Sequence, residues 1–311
     1  MIKDLQEKER INGQRFLLAN VSKGVTNTGA PYLNVTLQDS SGQIEGRKWE
    51  VTIEDDEVFN AGNIVSIVAD VIQYRNILQL KIINGSVIPS TQVDLTEFIA
   101  SAPIPREVLQ KKLMDYIARI ETPDIKSIVE TLVRENLISF AIYPAASHNH
   151  HEYASGLIHH TVGMLDAAAA LLNVYPSLHR DYLFAGVILH DMGKLVELSG
   201  PILPKYTTKG KLLGHISIMQ AKIQQVADKL KIESEAGTIL QHLVLSHHGA
   251  NEFGSPVLPM TREAEVLSYL DNLDARINMI DKALSSINQG EFTPRVMSLE
   301  NRSFYKIKSN K

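Results

Sequence analysis

The residues best suited to chemistry are histidines and aspartates at the ends of apolar helical segments in the second half of the chain. The segment DYLFAGVILHDMGKL places His190 and Asp191 at the end of such a helix, and Lys194 follows one turn later. Imidazole nitrogens and carboxylate oxygens together bind divalent ions such as manganese, iron, nickel and zinc. A carboxylate can also bridge two ions, so we expect a metal site with Asp191 as the bridging ligand.

Other histidines and aspartates of the same half complete an ordered set of ligands. Taken alone, any one of these histidines is more often a surface or core residue than a ligand, and it is their order along the chain that favours a metal. The first ion is expected to bind Asp191 together with His160, His190 and Asp271. The second is expected to bind Asp191, His215 and one of the neighbours His247 and His248.

Two positions in this set have alternatives. We prefer His247 to His248 as a ligand, and Asp271 to Asp274, which lies three residues later on a similar helical face. His248 is then expected to contact a substrate phosphate. The same role is possible for His150 and His151 in the segment SHNHHEY, although a polar loop explains those two equally well.

A pair of ions about 3.5 to 4 Å apart generates hydroxide at neutral pH and stabilises the entering and leaving oxygens of an attack on phosphorus. The sequence therefore predicts a phosphodiesterase whose catalytic residues are Asp191 and Lys194. Lys194 is expected to lie over a non-bridging phosphate oxygen and to counter the charge that develops there.

Composition limits the other classes of chemistry. The 311 residues include no cysteine, which excludes disulfides, thiolate zinc sites and cysteine nucleophiles and fits a reducing compartment. A net charge of -4 means that any polyanion must meet a local basic strip. The charged N-terminus MIKDLQEKERI lacks the apolar core of a signal peptide, and we expect no membrane-spanning stretch, no membrane partner and a cytoplasmic location.

The elements that must position the site change in type along the chain. Between Gly13 and Ile88, short β-type runs alternate with turn residues, which predicts a five-stranded OB-like barrel, with a generic small β-barrel as the alternative. After Pro89 the pattern is helical. We expect a barrel domain over residues 1–90, a helical connector over 91–140 and an all-α metal-dependent domain over 141–311.

At these residues the chain resembles the YhaM family of bacterial HD-domain exoribonucleases. The resemblance rests on the OB-like N-terminus and on the segments YPAASHNHHEYASGLIHHTVGML, VILHDMGKL, SHHG and EAEVLSYLDNLDARI. It implies an OB-fold followed by an all-α HD phosphohydrolase. The implied activity is manganese-dependent release of nucleotides from the 3′ end of single-stranded RNA, with Fe, Ni, Zn or Mg as other possible metals.

The barrel carries interleaved aromatic and basic residues that suit single-stranded RNA, on which bases stack while cations meet the backbone. The expected contacts are Arg47, Lys48, Trp49, Tyr74 and Arg75. Barrel aromatics are usually core residues, so we expect the cations to be the more dependable contacts, since cations seldom point inward. Single-stranded DNA is a further possible substrate, and a homo-oligomer is possible.

Two other functions remain open at this point. One is an HD phosphohydrolase that acts on small nucleotides, with the barrel serving assembly or regulation. The other is a non-catalytic RNA-binding protein with an inactive HD site. Retention of the complete ligand set together with Lys194 argues against the second of these.

Overall fold

The computed structural model describes residues 1–75, 77–89, 92–99, 101–145 and 153–308. Contacts divide the chain into two compact units, Met1–Ser101 and Ala102–Lys311. The sequence predicted boundaries near residues 90 and 140. Residues on both sides of position 140, such as Leu132 and Leu157, pack into one apolar core, and the helices of the predicted connector belong to that core.

The first unit is a closed five-stranded barrel. Its strands are β1 (Arg10–Val25), β2 (Pro31–Asp39), β3 (Gly42–Trp49), β4 (Ile64–Tyr74) and β5 (Ile77–Ile88). They are hydrogen-bonded in the order β1-β2-β3-β5-β4. The pairing of β3 with β5 is parallel and the other pairings are antiparallel. This is the strand order of an OB-fold, and the predicted OB-like barrel is confirmed.

Alternation of side chains along the strands builds the barrel core. On β2, Leu33, Val35 and Leu37 are buried, while the residues between them are partly exposed. Gly46 on β3 faces the same interior, and a β-carbon there would lie 3.0 Å from the Leu37 side chain. The glycine therefore gives room for the strands to close around this core.

A short helix, α1 (Ile53–Val58), connects β3 to β4. Thr52 begins it with a capping box, in which its hydroxyl accepts a hydrogen bond from the Asp55 backbone N–H and the Asp55 carboxylate accepts one from the Thr52 backbone N–H.

The second unit is helical. Its helices are α2 (Arg106–Ala118), α3 (Pro123–Ile142), α4 (Gly156–Val174), α5 (Arg180–Leu189), α6 (Lys194–Glu197), α7 (Thr208–Lys229), α8 (Ala236–Ser246) and α9 (Arg262–Ser285). Their apolar faces meet in one core, of which Leu157, Phe184, Leu240 and Leu267 are fully buried members. Three of the predicted ligands, His190, Asp191 and His247, lie at or directly after the ends of these helices.

A buried carboxylate joins the start of α3 to the start of α5. Asp181 accepts hydrogen bonds from the backbone N–H groups of Glu121 (2.9 Å) and Thr122 (2.7 Å) and from the Thr122 hydroxyl (2.8 Å). Burial opposes the charge, but the Thr122 hydrogen bonds and Arg180 outweigh it and lower the pKa of Asp181. The ionised carboxylate thus fixes the loop before α3.

The α4 helix is long and apolar enough to cross a membrane by length and composition. Length and composition alone do not decide whether a helix spans a membrane, and the expectation of no membrane-spanning stretch stays a prediction. Nine of its residues, including Leu157, Ile158, Val162 and Leu165, are buried within the helical unit. One or two such helices are weak evidence for a membrane span, because core helices pass the same test.

Candidate metal centre

Five helices of the second unit bring the predicted ligands together. His160 lies in the second turn of α4, His190 and Asp191 follow the end of α5, and Asp271 lies in the middle of α9. The ligands on the other side are His215 in α7 and His247 at the end of α8.

The first group of ligand atoms surrounds one oxygen of Asp191. The Nε2 atom of His160 lies 3.2 Å from Asp271 Oδ1 and 3.3 Å from His190 Nε2. His190 Nε2 in turn lies 3.4 Å from Asp191 Oδ2. His160 and His190 are fully buried, and Asp191 is 3% exposed. The four residues predicted for the first ion therefore converge in a site almost closed to solvent.

The second group faces the other oxygen of the same carboxylate. His215 Nε2 lies 3.4 Å and His247 Nε2 3.9 Å from Asp191 Oδ1. His248 also belongs here, because ligand atoms of His215, His247 and His248 all lie within 4.8 Å of one another. The structure thus places both members of the ambiguous pair beside His215, and the choice of His247 as the ligand stays a prediction.

Three buried atoms in this site have no hydrogen-bond partner among the described residues. They are Asp191 Oδ1, His215 Nε2 and His247 Nε2. Each carries a lone pair, and an unpaired polar atom in a dry interior costs free energy on the order of 1 to 3 kcal/mol. A divalent cation between them would satisfy all three, so the donor set fits a metal of the imidazole- and carboxylate-binding kind.

Hydrogen bonds to backbone carbonyls turn the imidazole rings toward the centre. The Nδ1–H groups donate to backbone oxygens 2.7 to 2.8 Å away, since a carbonyl can only accept: His190 to Val187, His247 to Val244 and His248 to Phe253. With Nδ1 as the donor, each ring turns its Nε2 toward the site. Burial, together with the nearby His190 and His248, lowers the pKa of His247 well below its usual range and keeps that ring neutral.

Carboxylates orient the other two rings. Asp274 Oδ2 accepts the His160 Nδ1–H at 2.6 Å, and Glu197 Oε1 lies 3.2 Å from His215 Nδ1 and accepts the His215 backbone N–H at 3.0 Å. The choice of Asp271 over Asp274 agrees with this geometry, since Asp271 faces the centre and Asp274 lies behind His160.

Sequence reasoning missed Glu197. Glu197 follows Lys194 by three residues, or about one helical turn, but that spacing does not link it to His215, the ring that it orients. Burial opposes the charge of Glu197, but hydrogen bonds from His215 outweigh it and lower its pKa.

His160 holds a proton when no cation is present. Burial opposes its charge, but the carboxylates of Asp271 and Asp274 raise the pKa of His160 to about 10. A cation that binds Nε2 must displace this proton, which is the usual coupling of metal binding to proton release.

Glycines bring α6 and α7 close enough to assemble the second group. A β-carbon on Gly193 would overlap the backbone carbonyl of His215, and one on Gly210 would overlap the backbone of Glu197. Gly214 interrupts α7 with a φ of 69°, a conformation that favours glycine, directly before His215. The kink and the two close approaches together direct the His215 ring toward Asp191.

Lys194 lines a cavity together with several of the predicted metal ligands. Its Nζ donates a hydrogen bond to Asp191 Oδ2 at 2.7 Å. Burial opposes its charge, but Asp191 outweighs burial and raises the pKa of Lys194, which stays an ammonium. Burial also opposes the charge of Asp191, but Lys194, His190 and His215 hold its pKa well below the ordinary range.

The cavity has a volume of about 210 Å³. Five of its lining residues were predicted for the site: Asp191, Lys194, His247, His248 and Asp271. The remaining lining residues are Phe253 from the loop after α8 and Ser268, Asn272 and Ala275 from α9. A substrate phosphate in this cavity would contact Lys194 and the metal ligands together.

On the barrel, part of the predicted RNA surface is exposed. The Arg47 guanidinium lies over the rings of Tyr32 (6.0 Å) and Trp49 (5.9 Å), and these two rings are 5.0 Å apart. Trp49 is 37% exposed. Between β4 and β5, the Arg75 guanidinium lies 5.3 Å from the ring of Tyr74, which is 50% exposed. Both clusters offer a cation beside an aromatic face.

Lys48 does not fit the prediction. It is 8% exposed, and its Nζ lies 3.4 Å from Asp55 Oδ2 and donates to the backbone oxygen of Trp49 at 3.1 Å. The two-residue period of β3 places Lys48 on the inner face with Ile44. Its ammonium therefore contacts Asp55 and the Trp49 backbone and is not available to RNA. The assumption that cations point outward was wrong here.

His150 and His151 lie outside the described residues, so their expected contact with phosphate stays a prediction. His248 is described, and it lines the cavity as that expectation requires.

A barrel of OB topology followed by a helical unit with this His and Asp arrangement defines an HD-type protein. Residues 157–276 match the HD domain family. The chain is 48% identical to "3′-5′ exoribonuclease YhaM" of Geobacillus sp. (strain WCH70) over 94% of this chain and 90% of that relative. It is also 48% identical to the protein of the same name from Bacillus subtilis (strain 168), over 94% of each. The chain belongs to the YhaM family.

A solved structure resembles part of the chain. It is the second OB-fold domain of replication protein A from Methanococcus maripaludis, 19% identical, covering 28% of this chain and 92% of that one with a TM-score of 0.23. The assignment of the barrel as an OB-fold rests on its strand order and not on this likeness.

Proposed function

We propose that the protein is a metal-dependent 3′-to-5′ exoribonuclease that hydrolyses single-stranded RNA one phosphodiester at a time. The observation that carries this proposal is the placement of Asp191, whose two carboxylate oxygens face two different groups of buried imidazoles. Three of the atoms involved lack a partner within the described chain. The names of the two YhaM relatives supply the substrate and the polarity.

Two ions fit this arrangement better than one. Asp191 Oδ2 would serve a first ion together with His160, His190 and Asp271, and Asp191 Oδ1 a second with His215 and His247. When bound, such ions activate water and stabilise charge on the phosphate. We propose Mn²⁺, because imidazole-rich sites favour softer ions than Mg²⁺, which prefers an oxygen shell. Iron, nickel and zinc suit the same donors.

The protein's own groups hold and neutralise the phosphate. Lys194 lines the cavity with its ammonium fixed by Asp191, so its position costs no rearrangement when substrate enters. A fixed ammonium in a nearly dry site stabilises negative charge on a phosphate oxygen more strongly than it would in water. His248, which also lines the cavity, is a second possible contact for that phosphate.

The barrel would bind the rest of the strand. Tyr32, Arg47 and Trp49 form a surface on which a base stacks beside a cation, and Tyr74 with Arg75 forms another. Stacking of this kind tolerates any base, as an exonuclease that removes successive nucleotides requires. Single-stranded DNA has the same bases and phosphates, so we include it as a possible substrate. A homo-oligomer and a cytoplasmic location stay predictions from the sequence.

The function is tested with single-stranded RNA labelled at its 5′ end. Mn²⁺ should produce a ladder of progressively shorter labelled products, EDTA should stop the reaction, and excess Mn²⁺ should restore it better than Mg²⁺. The same preparation is given free nucleotides. Hydrolysis of the nucleotides with no change to the RNA would favour the small-nucleotide alternative, and binding of RNA without any cleavage under all metals would favour a non-catalytic role.

A further inference from the structure

One exposed phenyl ring, that of Phe253, lines the metal cavity. Phe253 is 68% exposed and is the one phenyl ring among the described residues that line this cavity. It belongs to neither apolar core, and no ring contact with another described aromatic is found for it. An exposed aromatic side chain is common on surfaces, so its meaning depends on how it is held and what lies beside it.

The loop that carries Phe253 is fixed to a predicted phosphate contact. The backbone oxygen of Phe253 accepts the His248 Nδ1–H at 2.7 Å. The buried Ser255 hydroxyl accepts the His248 backbone N–H at 3.1 Å, and the Phe253 N–H donates to the Ala250 oxygen at 3.1 Å. Gly254, with a φ of 98°, ends this turn. The backbone under the ring therefore cannot move without moving His248.

Phe253 lines the same cavity as Lys194 and the metal ligands. In RNA the terminal base is separated from the phosphate that is cut by a single sugar. A phosphate held at Lys194 and the metal ligands therefore leaves the terminal base one sugar away, within reach of the exposed ring of Phe253 that lines the same cavity. The lining residues Ser268, Asn272 and Ala275 offer no aromatic face.

We infer that Phe253 is the residue on which the base of the 3′-terminal nucleotide stacks. This rests on the proposed exoribonuclease function and adds the contact that recognises the end of the strand. Because every base has a π-face, the contact accepts all four bases and still requires that a base be present. The backbone oxygen of Phe253 orients His248 independently of the ring, so the two roles can be separated by changing the side chain alone.

The test compares two single-stranded RNAs that differ only in whether their 3′-terminal nucleotide carries a base or is abasic. The wild-type protein should prefer the complete end in kcat/KM by roughly 5- to 150-fold, the range expected for one stacked base. Phe253→Leu, which keeps apolar bulk without a ring, should bring this ratio close to one. Phe253→Tyr should retain it.

The control variant is Tyr175→Leu, which removes another exposed ring of the same unit. Tyr175 follows α4 fifteen residues after His160, or about 22 Å along the helix axis. It should keep the wild-type ratio. Mn²⁺ affinity, measured by calorimetry, should be unchanged in Phe253→Leu because the backbone oxygen that orients His248 remains.

Three results overturn the inference. The first is a wild-type protein that shortens the complete and the abasic RNA equally well. The second is a Phe253→Leu variant that keeps the wild-type ratio. The third is a Phe253→Leu variant that loses Mn²⁺ affinity and slows on both RNAs by the same factor. The third result would mean that the loop affects hydrolysis only by orienting His248, and that the Phe253 ring does not contact a base. A wild-type protein that shortens neither RNA would instead contradict the proposed function.

Discussion

A β-carbon on Gly193 would overlap the backbone carbonyl of His215. The two residues belong to consecutive segments, and their close approach places the His215 ring 3.4 Å from Asp191 Oδ1. Gly193 has ordinary helical backbone angles, with a φ of -59°, so it is required for space and not for conformational freedom.

Gly193→Ala should therefore move α7 away from Asp191 and weaken the second group of ligands. We expect a loss of Mn²⁺ binding and at least a hundredfold fall in RNA hydrolysis, since a misplacement of about 1 Å can cost that much. Calorimetric titration with Mn²⁺ and the rate of RNA shortening measure the two effects. Gly237→Ala is the control, because a β-carbon there meets only the Ala227 methyl, at 3.2 Å. Equal Mn²⁺ affinity in Gly193→Ala and the wild type would contradict this explanation.

Asp274 is expected to act through His160. Removal of its carboxylate in Asp274→Ala leaves the His160 Nδ1–H without the acceptor that now lies 2.6 Å away, and the ring loses its fixed orientation. Such outer partners typically contribute 10- to 100-fold in metal affinity, so we expect a fall of about that size. Asp281→Ala, on an exposed position of the same helix, should leave the affinity unchanged. If both variants bind Mn²⁺ equally, Asp274 has no orienting role.

Arg47 is expected to contribute to RNA binding without affecting the chemistry. Arg47→Glu should raise KM for long single-stranded RNA and leave the cleavage of a short model phosphodiester nearly intact. The dependence of log affinity on log salt should become flatter by about 0.7 for one lost phosphate contact. Lys3→Glu makes the same change of charge at another exposed position of the barrel unit and should have no effect on the slope. An unchanged slope in Arg47→Glu would remove Arg47 from the RNA surface.

Asp181 should contribute to stability in a pH-dependent way. Asp181→Asn weakens a buried acceptor of three hydrogen bonds, and we expect it to lower the free energy of unfolding by about 2 kcal/mol at neutral pH. The folded protein lowers the pKa of Asp181, so its contribution is complete above the unfolded pKa of about 3.9 and is lost as the pH falls through the folded value.

Denaturant unfolding of the wild type and Asp181→Asn at several pH values measures this contribution. The difference between the two should shrink as the pH is lowered below about 4. Asp115→Asn, at an exposed position on α2, serves as the control and should show little difference at any pH. A difference that stays constant down to pH 2 would mean that the carboxylate charge is not what stabilises the loop.

The sequence predicted those parts of the site that depend on residue type and order along the chain. The convergence of His160, His190, Asp191, His215, His247 and Asp271 could be predicted from their order along the chain, while their roles as metal ligands stay predictions. Glu197 could not, because its contact with His215 depends on the close approach of α6 and α7 at Gly193 and Gly210.

The barrel gives a similar contrast. Alternating apolar residues were enough to predict five strands and an OB-like barrel. The inward position of Lys48 follows from the same alternation, since it is in phase with Ile44 on β3. The general tendency of cations to face solvent, on which the prediction for Lys48 was based, does not hold at this position. Its partner Asp55 lies on a different element, so the ion pair itself needed the structure.

The central claim is that hydrolysis of RNA from its 3′ end depends on the Asp191 carboxylate, and one experiment tests it most directly. The wild type and Asp191→Asn are each incubated with 5′-labelled single-stranded RNA and Mn²⁺, after circular dichroism and thermal unfolding confirm that both are folded. The wild type should produce a ladder that shortens from the 3′ end, and Asp191→Asn should leave the RNA intact, because an amide cannot hold two cations as a shared carboxylate does. Activity of Asp191→Asn within tenfold of the wild type would contradict the account.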